Sequence, residues 1–207
     1  MKLIFILFLI TTFISTNIFS NENAENCSIK NVPTEERSFS NNFSGVFNGK
    51  KLDYVASLKE KIIYEKDNPN EPMASFFYTE YIVNSDKNRP VIFSFNGGPG
   101  SASLWLHMGV LGPKVIKVPS DASDDGSAPY KIEDNKLSPL SDADLVFIDP
   151  IGTGYSRAIG CHEPEEFWGV SEDPKVIAEF IRRWINDNKR WNSPRYILGE
   201  SYGGIRG

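Results

Sequence analysis

Three short apolar runs in this chain each break on a glycine-rich loop, and that recurrence restricts the fold more than any other feature. Residues 91–95 (Val-Ile-Phe-Ser-Phe) run into Asn96-Gly97-Gly98-Pro99-Gly100. Residues 145–149 run into Pro150-Ile151-Gly152-Thr153-Gly154, and residues 196–198 into Gly199-Glu200-Ser201-Tyr202-Gly203. Short continuous apolar runs suit strands buried on both faces. Between the last two lies a segment with helical periodicity: Val176, Ile177, Phe180, Ile181, Trp184 and Ile185 fall on one face. Asp173 reads as its N-cap and Pro174 as its first helical residue, with Asn192 and Pro194 beyond its end. Strand, helix, strand predicts an α/β fold with a parallel sheet, in which sites form at the carboxyl ends of the strands. All three glycine-rich loops fall there.

The rest of the chain frames that core. Its 207 residues allow one ordinary domain, and 40% hydrophobic residues supply a core for it. A net charge of −5 leaves no basic excess for nucleic acid. Two cysteines and two histidines argue against a disulfide scaffold or a zinc site. Residues 1–20 combine Lys2 with the apolar run 3–10 and a polar stretch up to Ser20, the pattern of a secretory signal peptide, with an uncleaved anchor as the alternative. The expected location is therefore secreted or periplasmic. In such a compartment Cys27 and Cys161 are able to pair, a question that spacing leaves open. Residues 21–44, rich in Asn, Glu and Ser, read as a flexible leader, and 45–207 as the folded domain. Residues 51–57, 60–66 and 74–83 read as strands, with Phe76, Phe77, Tyr78 and Tyr81 as packing residues.

Gly199-Glu200-Ser201-Tyr202-Gly203 has the G-x-S-x-G spacing of a nucleophile elbow and follows a predicted strand. The glycines permit a sharp turn that lifts a serine hydroxyl above the sheet. Acyl transfer also needs backbone N–H donors for the developing oxyanion. One comes from the residue after the nucleophile, Tyr202, and the other from the loop after an earlier strand. The segment from Asn96 to Gly100 sits where that loop belongs, and glycine at 97 and 98 lets backbone approach a substrate closely.

Taken together, Asn96-Gly97-Gly98-Pro99-Gly100-Ser101, Gly152-Thr153-Gly154-Tyr155-Ser156 and Gly199-Glu200-Ser201-Tyr202-Gly203-Gly204 resemble the serine carboxypeptidase family of α/β-hydrolases, over about residues 72–207. The resemblance implies cleavage of C-terminal peptide bonds through an acyl-serine. Ser201 matches the nucleophile, Gly98 and Tyr202 the oxyanion donors, and Asn96, Gly97 and Glu200 the groups that bind the substrate's terminal carboxylate. Peptide or protein C-termini are the implied substrates. No cofactor and no metal are implied, and the oligomeric state is not legible. The sequence departs from the family's pattern at Ser94, where many members have Trp, at Ser101 (Cys) and at Val110 (Glu), and its Asp-x-Pro is shortened to Asp149-Pro150. Without a carboxylate at Val110, selection of free C-termini is expected to be less strict.

A serine nucleophile needs a histidine base and an orienting carboxylate, which in this architecture follow it in the chain. The six residues after Ser201 hold no Asp, Glu or His. His107, beside Leu104, Trp105 and Leu106, reads as a packed or loop residue, and His162 as a loop residue next to Cys161. The expectation is therefore an α/β-hydrolase fold truncated just after the elbow: part of a secreted serine carboxypeptidase without its triad Asp and His, inactive alone. A non-catalytic peptide binder and an esterase-type hydrolase are the alternatives.

Overall fold

A computed structural model describes residues 35–85, 88–117, 121 and 128–207. The expected signal peptide, most of the expected leader, and Cys27 with its possible pairing lie outside these residues. Strands β1 (Ser38–Phe47), β2 (Lys50–Tyr64) and β3 (Pro72–Val83) form an antiparallel meander. Then come β4 (Val91–Phe95), the short helix α1 (Leu104–Leu106) continuing into a π-turn, β5 (Lys114–Ile116), β6 (Ile132–Asp134), β7 (Asp144–Ile148) and β8 (Arg157–Ala158). Helix α2 (Glu172–Asp187), β9 (Arg195–Gly199) and the single turn α3 (Gly203–Arg206) follow. The main sheet has the order β1-β2-β3-β7-β4-β9, with β8 beside β3. The pairs β7–β4 and β4–β9 are parallel, and β3–β7 is antiparallel.

The pleat divides the core between the two faces. Val146 and Ile148 of β7 join Val91, Phe93 and Phe95 of β4 under the apolar face of α2, where Phe180 and Trp184 are fully buried. Leu145 and Phe147 point the other way, onto Phe47, Tyr54, Tyr81 and Leu106. Glu80 is buried in β3. It accepts a hydrogen bond from Trp184 Nε1 at 2.8 Å and pairs with Lys59 Nζ at 2.6 Å, which spares it from standing as an uncompensated charge. Buried Asp144, at the start of β7, takes Arg190 at 2.8 Å, Arg89 at 3.2 Å and the Val83 amide at 3.0 Å. It ties the strand ends opposite the glycine-rich loops, so those loops stand on a rigid base.

Several sequence expectations need correction. Residues 38–44, read as part of the leader, belong to β1. They are polar because β1 is an edge strand, but Phe43 stacks on Tyr54 at 5.8 Å and buried Phe47 meets the same ring edge-on. The missed signal is Asn48-Gly49: both residues have positive φ (48° and 78°), the two-residue hairpin turn that Asn-Gly favours. Residues 51–57 and 60–66 are not two strands but one continuous β2, whose pairing with β3 runs through positions 58 and 59. Helix α2 starts earlier than expected. Ser171 is its N-cap, and Asp173 is a buried first-turn residue whose carboxylate turns inward. β9 is not buried on both faces. It forms the sheet edge among the described residues, leaving Tyr196 and Ile197 exposed.

Candidate active site

The three glycine-rich loops lie together at the carboxyl ends of β4, β7 and β9. At the end of β9 the chain reverses through Glu200 and Ser201 into α3, closed by hydrogen bonds from Gly203 N to Glu200 O (2.8 Å) and from Gly204 N to Ser201 O (3.0 Å). Ser201 has φ 56°, a left-handed conformation that L side chains rarely adopt and that costs about 1–2 kcal/mol. The side chain is presented to solvent. The turn closes this tightly because Gly199 has no Cβ: one there would lie 2.1 Å from the Gly203 carbonyl oxygen.

The loop after β4 is seated directly against this elbow. A Cβ on Gly97 would come within 2.5 Å of Tyr202 N and 2.6 Å of Glu200 O, so glycine is what lets the two loops touch. Asn96 is buried between them. Its Nδ2 donates to Glu200 Oε2 at 3.2 Å, while its Oδ1 accepts from the Leu106 amide at 3.0 Å. Gly98 has φ 107°. Among the described residues, no backbone carbonyl accepts from the N–H of Gly98 or of Tyr202. The structure therefore brings Asn96, Gly97, Gly98, Glu200, Ser201 and Tyr202 to one place. An exposed hydroxyl stands beside two loops that are held in contact and carry uncommitted backbone donors, an arrangement suited to addition at a carbonyl.

The third loop braces the second. Asp149, at the end of β7, accepts from the Ser103 amide at 2.8 Å, and Ser103 Oγ donates to the Ile148 carbonyl. Gly154, at φ 52°, leaves the room that Asp149 occupies, since a Cβ there would meet Asp149 Oδ2 at 2.1 Å. Ser156 Oγ donates to Asp149 O at 2.7 Å and accepts from Phe77 N at 2.8 Å. Burial pushes the Asp149 carboxyl above its ordinary range, against the opposing effect of the Ser103 amide. A cleft of about 240 Å³ opens between the loops, walled by Pro99, Ile151, Phe167 and Trp168, with Asp173 and Arg206 also lining it.

The two histidines are engaged by other partners. His107 Nε2 is hydrogen-bonded to Tyr81 Oη at 2.6 Å, and its ring stacks on Phe147 with centroids 4.5 Å apart. Burial lowers its pKa from 6.5 to about 4, so the fold holds it neutral. The packed reading from the sequence agrees with this. His107 therefore stabilises the fold fully above pH about 6.5, and the contribution is lost as pH falls through 4, because the unfolded chain takes up the proton first. A shift of this size corresponds to about 3 kcal/mol. Urea unfolding at pH 7 and pH 4 is expected to show His107→Leu losing correspondingly less stability than the parent, and equal losses would refute the assignment. His162, in the loop before the 3₁₀ turn Pro164–Phe167, bonds Glu166 through Nδ1 at 2.8 Å.

Of the departures noted in the sequence, Ser94 is buried and its Oγ donates to Leu198 O at 3.3 Å, and Val110 is exposed. Sequence reasoning missed Arg206 and assigned Asp173 to a cap. Arg206 is buried, with Nε on Asp173 Oδ2 at 2.8 Å and Nη1 on the Asn96 carbonyl. The one available signal was an arginine at i+5 from the serine in an otherwise small and apolar turn. Among the described residues no group of three or more His, Cys, Asp or Glu is placed to hold a metal ion, and no helix is long and apolar enough to cross a membrane.

The family model for serine carboxypeptidases matches residues 54–206. Serine carboxypeptidase-like 9 of Arabidopsis thaliana is 31% identical over 140 residues, which is 65% of this chain and 30% of the relative. Serine carboxypeptidase-like 2 from the same plant is 30% identical over 142 residues, with the same coverage. The chain thus spans about 30% of the length of these relatives. A solved CIB-like hydrolase from Thermoplasma acidophilum aligns over 71% of this chain and 52% of its own, at 23% identity and a TM-score of 0.36, too loose a likeness to bear on the argument. The mixed sheet, the elbow after β9 and the family match together make this an α/β-hydrolase fold.

Proposed function

Since this chain belongs to the serine carboxypeptidase family, we propose that Ser201 is the nucleophile of a hydrolase that releases C-terminal residues from peptides. The observation that carries this reading is Ser201 at φ 56° on an elbow in direct contact with the Asn96–Gly97–Gly98 loop. Ser201 Oγ adds to the scissile carbonyl and its proton passes to a general base. The carbonyl oxygen, now negative, takes hydrogen bonds from the N–H of Gly98 and Tyr202. Collapse breaks the C–N bond, the amine leaves with a proton, and water then hydrolyses the acyl-serine. Neither histidine is proposed as the base: Tyr81 engages Nε2 of His107, and both ring nitrogens of His162 face carboxylates, Nδ1 that of Glu166 at 2.8 Å and Nε2 that of Glu65 at 3.2 Å.

Asn96, Gly97 and Glu200 form the proposed receptor for the substrate's terminal carboxylate. The hydrogen bond from Asn96 to Glu200 already sets the two side chains together. No cofactor enters this mechanism.

Two measurements on the complete gene product test the reading. A fluorophosphonate reagent is expected to modify Ser201, and peptides with free C-termini are expected to lose one residue at a time. C-terminal amides should react at least about 100-fold more slowly, as a receptor built for a hydrogen-bonding group rejects its analogue. An unmodified Ser201 would sink the proposal. Turnover of esters without release of C-terminal residues would replace it with an esterase reading, towards which the exposed Val110 leans. Export is part of the same proposal: N-terminal sequencing of the mature protein should begin at Asn21, and a product retaining Met1 or Lys2 would contradict it.

A further inference from the structure

The buried charge beside the elbow serves the site as well as the core. Arg206 is 4% exposed and Asp173 5%. Both Nε and Nη2 of Arg206 rest on Asp173 Oδ2, at 2.8 and 2.7 Å. Nη1 is directed elsewhere, onto the carbonyl oxygen of Asn96. The guanidinium carbon lies 5.6 Å from the Phe95 ring and 5.4 Å from the Tyr202 ring. One planar group thus joins three elements: the first turn of α2, the loop after β4 and the elbow itself. Arginine suits this task because its donors are fixed in a fork and its face stacks on aromatic rings. A buried guanidinium must also pair the donors that the carboxylate leaves over. Here its third nitrogen holds the peptide unit that leads into Gly97 and Gly98.

From this geometry we infer that Arg206, held by Asp173, is a positioning residue that sets the Asn96–Gly98 loop against Tyr202, so that the two N–H groups proposed above converge on one oxyanion. The inference rests on the proposed function for its catalytic consequence, and on the structure alone for its structural one. Oxyanion donors act chiefly in the transition state, so misplacing one lowers kcat and leaves KM nearly unchanged. The cleft between Pro99 and Trp168 reaches Arg206. A small guanidine can therefore enter the space left when the side chain is removed.

The experiment uses the complete gene product. Arg206→Ala is expected to lower kcat by about 100-fold or more, with KM changed less than about threefold, in line with the loss of an oxyanion donor. Millimolar ethylguanidine should restore at least about a tenth of the lost rate, and ethylammonium should not, because it lacks the planar fork. Arg206→Lys, the gentler replacement if alanine prevents folding, should show the same separation of kcat from KM. Hydrogen exchange gives a readout independent of turnover. The Leu106 amide, bonded to Asn96 Oδ1, and the Glu200 amide, bonded to Phe95 O, should exchange at least about tenfold faster in Arg206→Lys. If Ser201 of the parent protein resists fluorophosphonate, the functional reading fails while the exchange result still decides the positioning role. Unchanged kcat, a rise confined to KM, equal rescue by ethylammonium, or unaltered exchange at both amides would each overturn the inference.

Discussion

Ser201→Gly is expected to end acyl-enzyme formation and to stabilise the protein at the same time. The first effect follows from the missing hydroxyl. Loss of a serine nucleophile lowers turnover by about 10⁴-fold or more. The second follows from the backbone: at φ 56° an L residue is strained by about 1–2 kcal/mol, and glycine relieves this while losing about 0.5–1 kcal/mol in chain entropy. The net gain is therefore between about 0 and 1.5 kcal/mol, read as a higher urea midpoint at constant slope. Strain kept at a reactive residue despite its cost is the expected signature of a functional position. A lower midpoint for the glycine variant would mean that Ser201 carries structural contacts instead.

Gly199→Val tests the elbow from the other side. Even a Cβ at this position would stand 2.1 Å from the Gly203 oxygen, 2.2 Å from its carbonyl carbon and 2.8 Å from Gly204 N. All three are backbone atoms, so no side chain can swing away and the turn itself must open. A cost of about 4 kcal/mol or more is expected, at the upper end for single substitutions. Modification of Ser201 should be lost even in whatever fraction stays folded. Gly204→Ala is the control: nothing lies within 4 Å of its added methyl, and the change should stay within about 0.5 kcal/mol. Similar midpoints for the two variants would show that the elbow is looser than its geometry implies.

These two positions show what kind of information a sequence carries. The elbow and the facing loop are legible because their requirements are local. G-x-S-x-G after an apolar run specifies a turn that only glycine can make, and Gly97 and Gly98 announce close backbone approach. The apolar face of α2 is legible for a similar reason, since a period of 3.6 needs no knowledge of the partner; Phe180 and Trp184 lie on it, fully buried. Asp173 was misread because a carboxylate next to a proline is also a fair local cap. Its real partner is Arg206, 33 residues away. β1 was missed because a polar edge strand resembles a leader, although Asn48-Gly49 marked its hairpin.

By its sequence alone, this protein has the strand-to-loop order, the glycines of its three loops and a serine on the last of them, facing the first. Each is a demand that a few neighbouring residues make on their own backbone. The tertiary structure alone decided that Asn96 bonds Glu200, that Asp149 braces Ser103, that Arg206 joins Asp173 to the Asn96 carbonyl, and that β9 stands at the sheet edge. Those are pairings between segments far apart in the chain. Many residues satisfy the local pattern on either side of such a pair, and only the packed sheet selects which of them meet.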